Sequence, residues 1–270
     1  MSQGTTILLG ALAGLTIFLG LPIARLGALS RRTQGFLNAV ATGILFFLLW
    51  DVISNATGPV ESALDQVHRG AAGPFAALAL LLAAGIAAGL MSLVYINRWL
   101  TRRAEGPGAA LATDAVLVRP GRPLALMIAA GLGLHNLSEG LAIGQGAAAG
   151  AFAFAGVLIV GFALHNVTEG FGIAAPMAGD RDRPSWAFLG LAGLVAGGPT
   201  FLGTVIGYHA TSPYFFVVFL ALAAGALIYV INEMLQVGRR MNTQAALGWG
   251  LVLGFLAGYG TDLLLTYLGG

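Results

Sequence analysis

Two stretches of the chain share one pattern, His-Asn-x-x-Glu-Gly. They are His135-Asn136-Leu137-Ser138-Glu139-Gly140 and His165-Asn166-Val167-Thr168-Glu169-Gly170. Both lie inside long apolar segments, where ionisable residues are costly and usually functional. Imidazole nitrogen and carboxylate oxygen are donors that suit zinc, iron, manganese, cobalt or cadmium as divalent ions. There is no cysteine, so thiolate ligation and disulfides are excluded, and sulfur-free donors argue against Cu(I). Two carboxylates neutralise one divalent ion and offset part of its lost hydration. An empty site of this kind is expected to hold protons that metal binding releases. Ser138 and Thr168, in the gaps of the motifs, can add supporting hydrogen bonds.

Helix geometry gives each motif one working face. With about 100° between successive residues, the His and the Glu four positions on are about 40° apart, and the Asn falls in the same arc. Depth sharpens the argument. His135 is 13 residues from Arg122 and Glu169 is 12 from Arg181; Glu139 is 17 residues in and His165 is 16. At about 1.5 Å per residue, His135 and Glu169 both stand roughly 18–20 Å from the arginine-bearing surface. Two antiparallel helices therefore set His135 level with Glu169 and Glu139 level with His165. Glycines 140 and 170, directly after each Glu, allow a neighbouring helix to approach or the backbone to unwind.

The elements that carry these residues are membrane spans. The 270-residue chain is 57% hydrophobic and only 9% charged, with a mean hydropathy of +0.86; soluble domains carry about 25% charged residues. The 41 glycines suit close helix packing in lipid. Eight runs are long enough to cross: Thr5–Ile23, Phe36–Ser54, Ala72–Ile96, Leu124–Ala148, Phe152–Pro176, Trp186–Ala210, Tyr214–Leu235 and Ala245–Leu268. The first is read as a retained span, because no basic residue precedes it. Twelve of the 13 arginines fall in alternate connections, which marks those as cytoplasmic and puts both termini outside. The sequence reads as a single transmembrane domain over residues 1–270. No soluble domain and no nucleic-acid patch is present.

Other polar residues have weaker claims. Asp51, near the outer end of the second span, is a candidate entrance residue or an interfacial one. Glu233, near the inner end of the seventh, is a candidate exit ligand or an arginine partner. Glu61, Asp65 and His68 form a polar cluster in an outer loop. Asp262 and His209 read as outer-surface residues, and Met91, Met127 and Met177 as packing. The plain alternative for the motifs is a hydrogen-bond network tying two helices together. Further alternatives are a membrane-embedded metalloenzyme and a haem-binding protein with His135 and His165 as axial ligands. The duplicated Glu is unexplained by haem, and carboxylate-bridged bundles use Glu-x-x-His rather than His-x-x-x-Glu.

The motif pair, the eight spans and the longer connection Asn97–Pro123 resemble the ZIP (Zrt/Irt-like) metal-ion transporters, in particular a bacterial GufA-like and ZupT-like branch. The resemblance implies an all-α integral membrane protein, an inverted-repeat bundle with its metal site between the fourth and fifth spans. It implies that His135, Asn136, Glu139, His165, Asn166 and Glu169 line that site. The substrate would be a divalent metal ion, Zn2+ first and Fe2+, Mn2+ or Cd2+ as alternatives, moved toward the cytoplasm by alternating, elevator-like access. The implied setting is the cell inner (plasma) membrane, in a lipid bilayer, with a homodimer as the suggested assembly. Two positions depart from the family's pattern. Gly198 precedes Pro199 where an acidic residue is common, which favours one metal over two, and Asn232-Glu233 replaces His-Glu. The connection Asn97–Pro123 also has no histidine.

Overall fold

A computed structural model describes residues 2–25, 30–68, 70, 72–105, 121–150, 152–178, 182–210, 212–241 and 243–269. Among them every regular element is helical. The first span is broken into α1 (Gln3–Leu15), α2 (Ile17–Gly20) and a 3-10 turn (Leu21–Arg25). Seven long helices follow: α3 (Arg31–Val67), α4 (Ala72–Glu105), α5 (Arg122–Ala148), α6 (Phe152–Ala174), α7 (Trp186–His209), α8 (Pro213–Met241) and α9 (Gln244–Gly269). Among the described residues, six stretches are long and apolar enough to cross a membrane by length and composition. The chain is an all-α membrane protein.

Local chemistry explains several starts and stops. Ser2, Ser30 and Ser185 cap α1, α3 and α7, each accepting a hydrogen bond from the backbone N–H three residues on. Gly121 precedes α5 with φ 92°, and Pro123 sits in the first turn, where a missing N–H costs nothing. Gly150 turns α5 into α6 with φ 77°, a conformation that L side chains rarely adopt.

Two helices overrun their apolar cores. α3 continues 13 residues past the expected end of the apolar run at Ser54, so Asp51, near the outer end of that run, lies mid-helix. Glu61, Asp65 and His68 are exposed at the end of that helix, with the first two in its last turns and His68 as its C-cap, not in a loop. Hydropathy marks where the lipid ends, but a helix ends where its hydrogen bonds do. Asn55 donates to the Asp51 carbonyl at 2.9 Å, and Thr57 to the Ser54 carbonyl at 3.1 Å, which keeps this polar stretch bonded ahead of Pro59. Likewise α4 carries the start of the expected polar connection as helix to Glu105; the remainder, 106–120, lies outside the described residues.

Packing relies on small residues. α5 packs most extensively on α7, α4 on α8, and α3 on α9. A Cβ added to Gly140 of α5 would strike the Thr200 carbonyl of α7, and one on Gly203 would strike the Leu137 carbonyl in return. Backbones that touch this closely gain van der Waals contact that bulkier residues forbid. Large apolar side chains face outward instead, such as Leu8, Leu12, Leu15 and Leu19 on the first span and Leu191, Leu194 and Leu202 on α7. An apolar exterior around a core holding buried polar residues inverts the soluble pattern. At the arginine-bearing end, Arg122 pairs with Asp182 at 3.0 Å and Arg25 lies 4.8 Å over the Trp186 ring.

Candidate metal centre

α5 and α6 place the two motifs side by side. The short turn at Gly150 sets the helices antiparallel, and the level pairing of His135 with Glu169 expected from arginine spacing is found. His135 Nε2 lies 3.6 Å from Glu169 Oε1, across the helix pair, and 3.3 Å from Glu139 Oε1, one turn along its own helix. All three side chains are buried. One donor atom from each of His135, Glu139 and Glu169 lies within 4.8 Å of the others. Donors held at about 2.1 Å by a tetrahedral ion stand about 3.4 Å apart, close to both measured contacts. A nitrogen and two carboxylate oxygens meeting in a dry interior can therefore share one cation.

The two asparagines hold their amides in the same way. Asn136 Nδ2 donates to Glu169 Oε2 at 2.8 Å and to the Ala196 carbonyl of α7 at 3.0 Å. Asn166 Nδ2 donates to the Ala13 carbonyl of α1 at 3.1 Å. Each acceptor is an oxygen, so each amide must turn its NH2 group that way. That leaves Oδ1 of both asparagines buried with no hydrogen-bond partner among the described residues, as is Oε2 of Glu139. Buried polar atoms are nearly always satisfied, so these three oxygens stand as acceptors available to a cation or a proton donor.

Supporting contacts come from both neighbouring helices. Ser138 spends its hydroxyl proton on the His135 backbone carbonyl of its own helix, at 2.6 Å, rather than on a ligand side chain. Gly140 meets the backbone of α7 at Thr200, and Gly170 meets the Ile17 carbonyl of the first span. Pro199 has no N–H, so the Val195 carbonyl loses its helical partner, and Gly133 of α5 lies directly against it.

The remaining sequence candidates fall in different places. His165 lies on α6 one residue before Asn166, but its side chain is outside the described residues. Asp51 of α3 is within electrostatic range of His135 and of Asp262 on α9. Asp262 is partly buried and lies near Asp51. Glu233 is buried on α8, one turn from Tyr229 and within electrostatic range of Arg240. It is not part of the His135 cluster. Gly198 has nothing within 4 Å of where its Cβ would be. His209 hydrogen-bonds to Gln3 at 2.7 Å.

Residue types could not reveal the backbone acceptors at Ala13 and Ala196. A proline inside an apolar span was an available signal, since Pro199 removes the N–H partner of the Val195 carbonyl, next to Ala196, without ending the helix.

The family model described as ZIP zinc transporter matches residues 103–262, more than half of the chain, and covers both motifs. No curated protein matches the chain. Members of that family move divalent metal ions and are transporters, not enzymes. The matched region, the helical membrane fold and the buried His–Glu–Glu cluster agree, and the chain belongs to the ZIP zinc transporter family.

Proposed function

We propose that this protein carries a divalent transition-metal ion toward the cytoplasm through a site formed by His135, Asn136, Glu139, His165, Asn166 and Glu169. The observation that carries the reading is the convergence of His135, Glu139 and Glu169 in a buried cluster, with donor atoms within 4.8 Å of one another. Zinc is the first candidate substrate, because mixed nitrogen and oxygen donors in a small cluster suit it; iron, manganese and cadmium accept the same donors. Asp51 would receive the ion on its way in, an assignment supported by its electrostatic reach to His135 and by Asp262 beside it. Glu233 would take it on the way out, supported by its burial toward the arginine-bearing end of α8. Alternating access would open the site to each side in turn. The setting is the inner membrane with both termini outside, and residues 1–270 form one transporter unit.

Metal uptake into proteoliposomes tests the assignment. Glu139→Ala and Glu169→Ala should each lower zinc uptake by about 100-fold, since each removes a charged ligand, a change more severe than loss of an outer partner. Uptake at the wild-type rate in both variants would discard the site.

A further inference from the structure

Thr16 is the one residue between the two helical pieces of the first span. Its hydroxyl reaches carbonyls on two helices, Ala13 of α1 at 2.7 Å and Ala163 of α6 at 2.6 Å. A hydroxyl has a single proton, so the two acceptors share it. The Thr16 backbone N–H also turns back to Ala13, at 3.2 Å, closing the end of α1.

Ala13 is the residue whose carbonyl also accepts from Asn166 Nδ2 at 3.1 Å. Ala163 stands three residues before Asn166 on α6. One turn of α6 is therefore tied at both ends to the same break in the first span. With Nδ2 held by Ala13, Asn166 Oδ1 is left buried and without a hydrogen-bond partner among the described residues. About one turn further along α6, Gly170 lies against the carbonyl of Ile17, next along the chain from Thr16, so the two backbones have no slack there.

We propose that Thr16 is a positioning residue for the metal site: its hydroxyl docks the break in the first span onto α6 and so aims Asn166 Oδ1 at the ion. The inference rests on the metal-site reading above. It adds a residue outside 103–262, the region matched by the family model. Thr16 does not touch the ion; it acts through Ala13 and Asn166.

The test is zinc uptake by the full-length protein in proteoliposomes. Thr16→Val keeps the shape and removes the hydroxyl; it should raise KM for zinc about three- to fivefold with kcat within about twofold, the size of one lost hydrogen bond. Thr16→Ser should restore the wild-type KM. In an Asn166→Ala background, Thr16→Val should add nothing. An unchanged KM in Thr16→Val, or effects of Thr16→Val and Asn166→Ala that simply multiply, would overturn the proposal. So would a fall in yield or kcat with KM unchanged, which marks a folding residue only. Should Thr16→Val fail to assemble, Thr16→Ala is read by the same criteria. Glu169→Ala separates the two levels. If it retains full uptake, the site itself is misassigned; if it loses uptake while Thr16→Val matches wild type, only the role of Thr16 falls.

Discussion

The two copies of His-Asn-x-x-Glu-Gly are alike in sequence and unlike in their support. The copy on α5 leans on α7, an unbroken helix that contains Pro199, and its amide bridges a backbone carbonyl and the carboxylate of the other copy. The copy on α6 leans on a span that is interrupted at Thr16, and its amide is anchored to a backbone carbonyl there. Duplicated chemistry thus does not require duplicated scaffolding. What both copies share is a neighbour whose helix is disturbed at the level of the asparagine, presenting a carbonyl to its amide. The α5 copy is tied more tightly, because Asn136 links three helices where Asn166 links two.

That asymmetry can be broken experimentally. The largest effect is expected from filling the glycines behind each Glu. Gly140→Leu and Gly170→Leu should each cost about 1–3 kcal/mol or more, because the obstacle is backbone. Gly140→Leu should lower the melting temperature in detergent further, since α5 and α7 share the larger contact. Gly190→Leu, where a Cβ meets nothing within 4 Å, is the control and should change little. Equal melting temperatures for Gly140→Leu and Gly170→Leu would remove the claimed difference in support.

The asparagines come next. Asn136→Ala takes a buried amide from a carboxylate, a bond worth about 1.5–3 kcal/mol, and should raise KM for zinc about tenfold or more. Asn166→Ala breaks a bond to a neutral carbonyl, worth about 1 kcal/mol, and should raise it about fivefold. Uptake kinetics across a zinc titration measure both, and the reverse order would contradict the picture of a more tightly held first copy. The smallest effect is expected at the arginine-bearing end. Arg122 and Asp182 are both solvent-exposed, so Arg122→Ala should cost at most about 1 kcal/mol and leave zinc uptake within about twofold of wild type.

Much of this was legible in the sequence, for identifiable reasons. The seven spans after the first are marked by apolarity, which tracks lipid directly. The level pairing of His135 and Glu169 followed from counting residues to the arginines, because helical rise is constant. Three things were not legible. The extension of α3 to Val67 depends on local side-chain-to-backbone bonds in a polar stretch, to which hydropathy is blind. The break at Thr16 has no proline or glycine at its centre to announce it. The Ala13 and Ala196 acceptors are backbone atoms, and an alanine looks the same in sequence whether or not its carbonyl is engaged. The nearness of Asp262 to Asp51 comes from the packing of α9 on α3.

The turn at Gly150 sets a limit on how this chain can vary in length. α5 ends at Ala148 and α6 begins at Phe152, so only residues 149–151 connect them. One residue inserted between Phe152 and His165 would rotate Asn166 and Glu169 by about 100° and slide them about 1.5 Å along the axis. The three-helix tie through Asn136 would then be lost at a stroke. Insertions and deletions should therefore be barred from this hairpin, even where single substitutions in it are accepted.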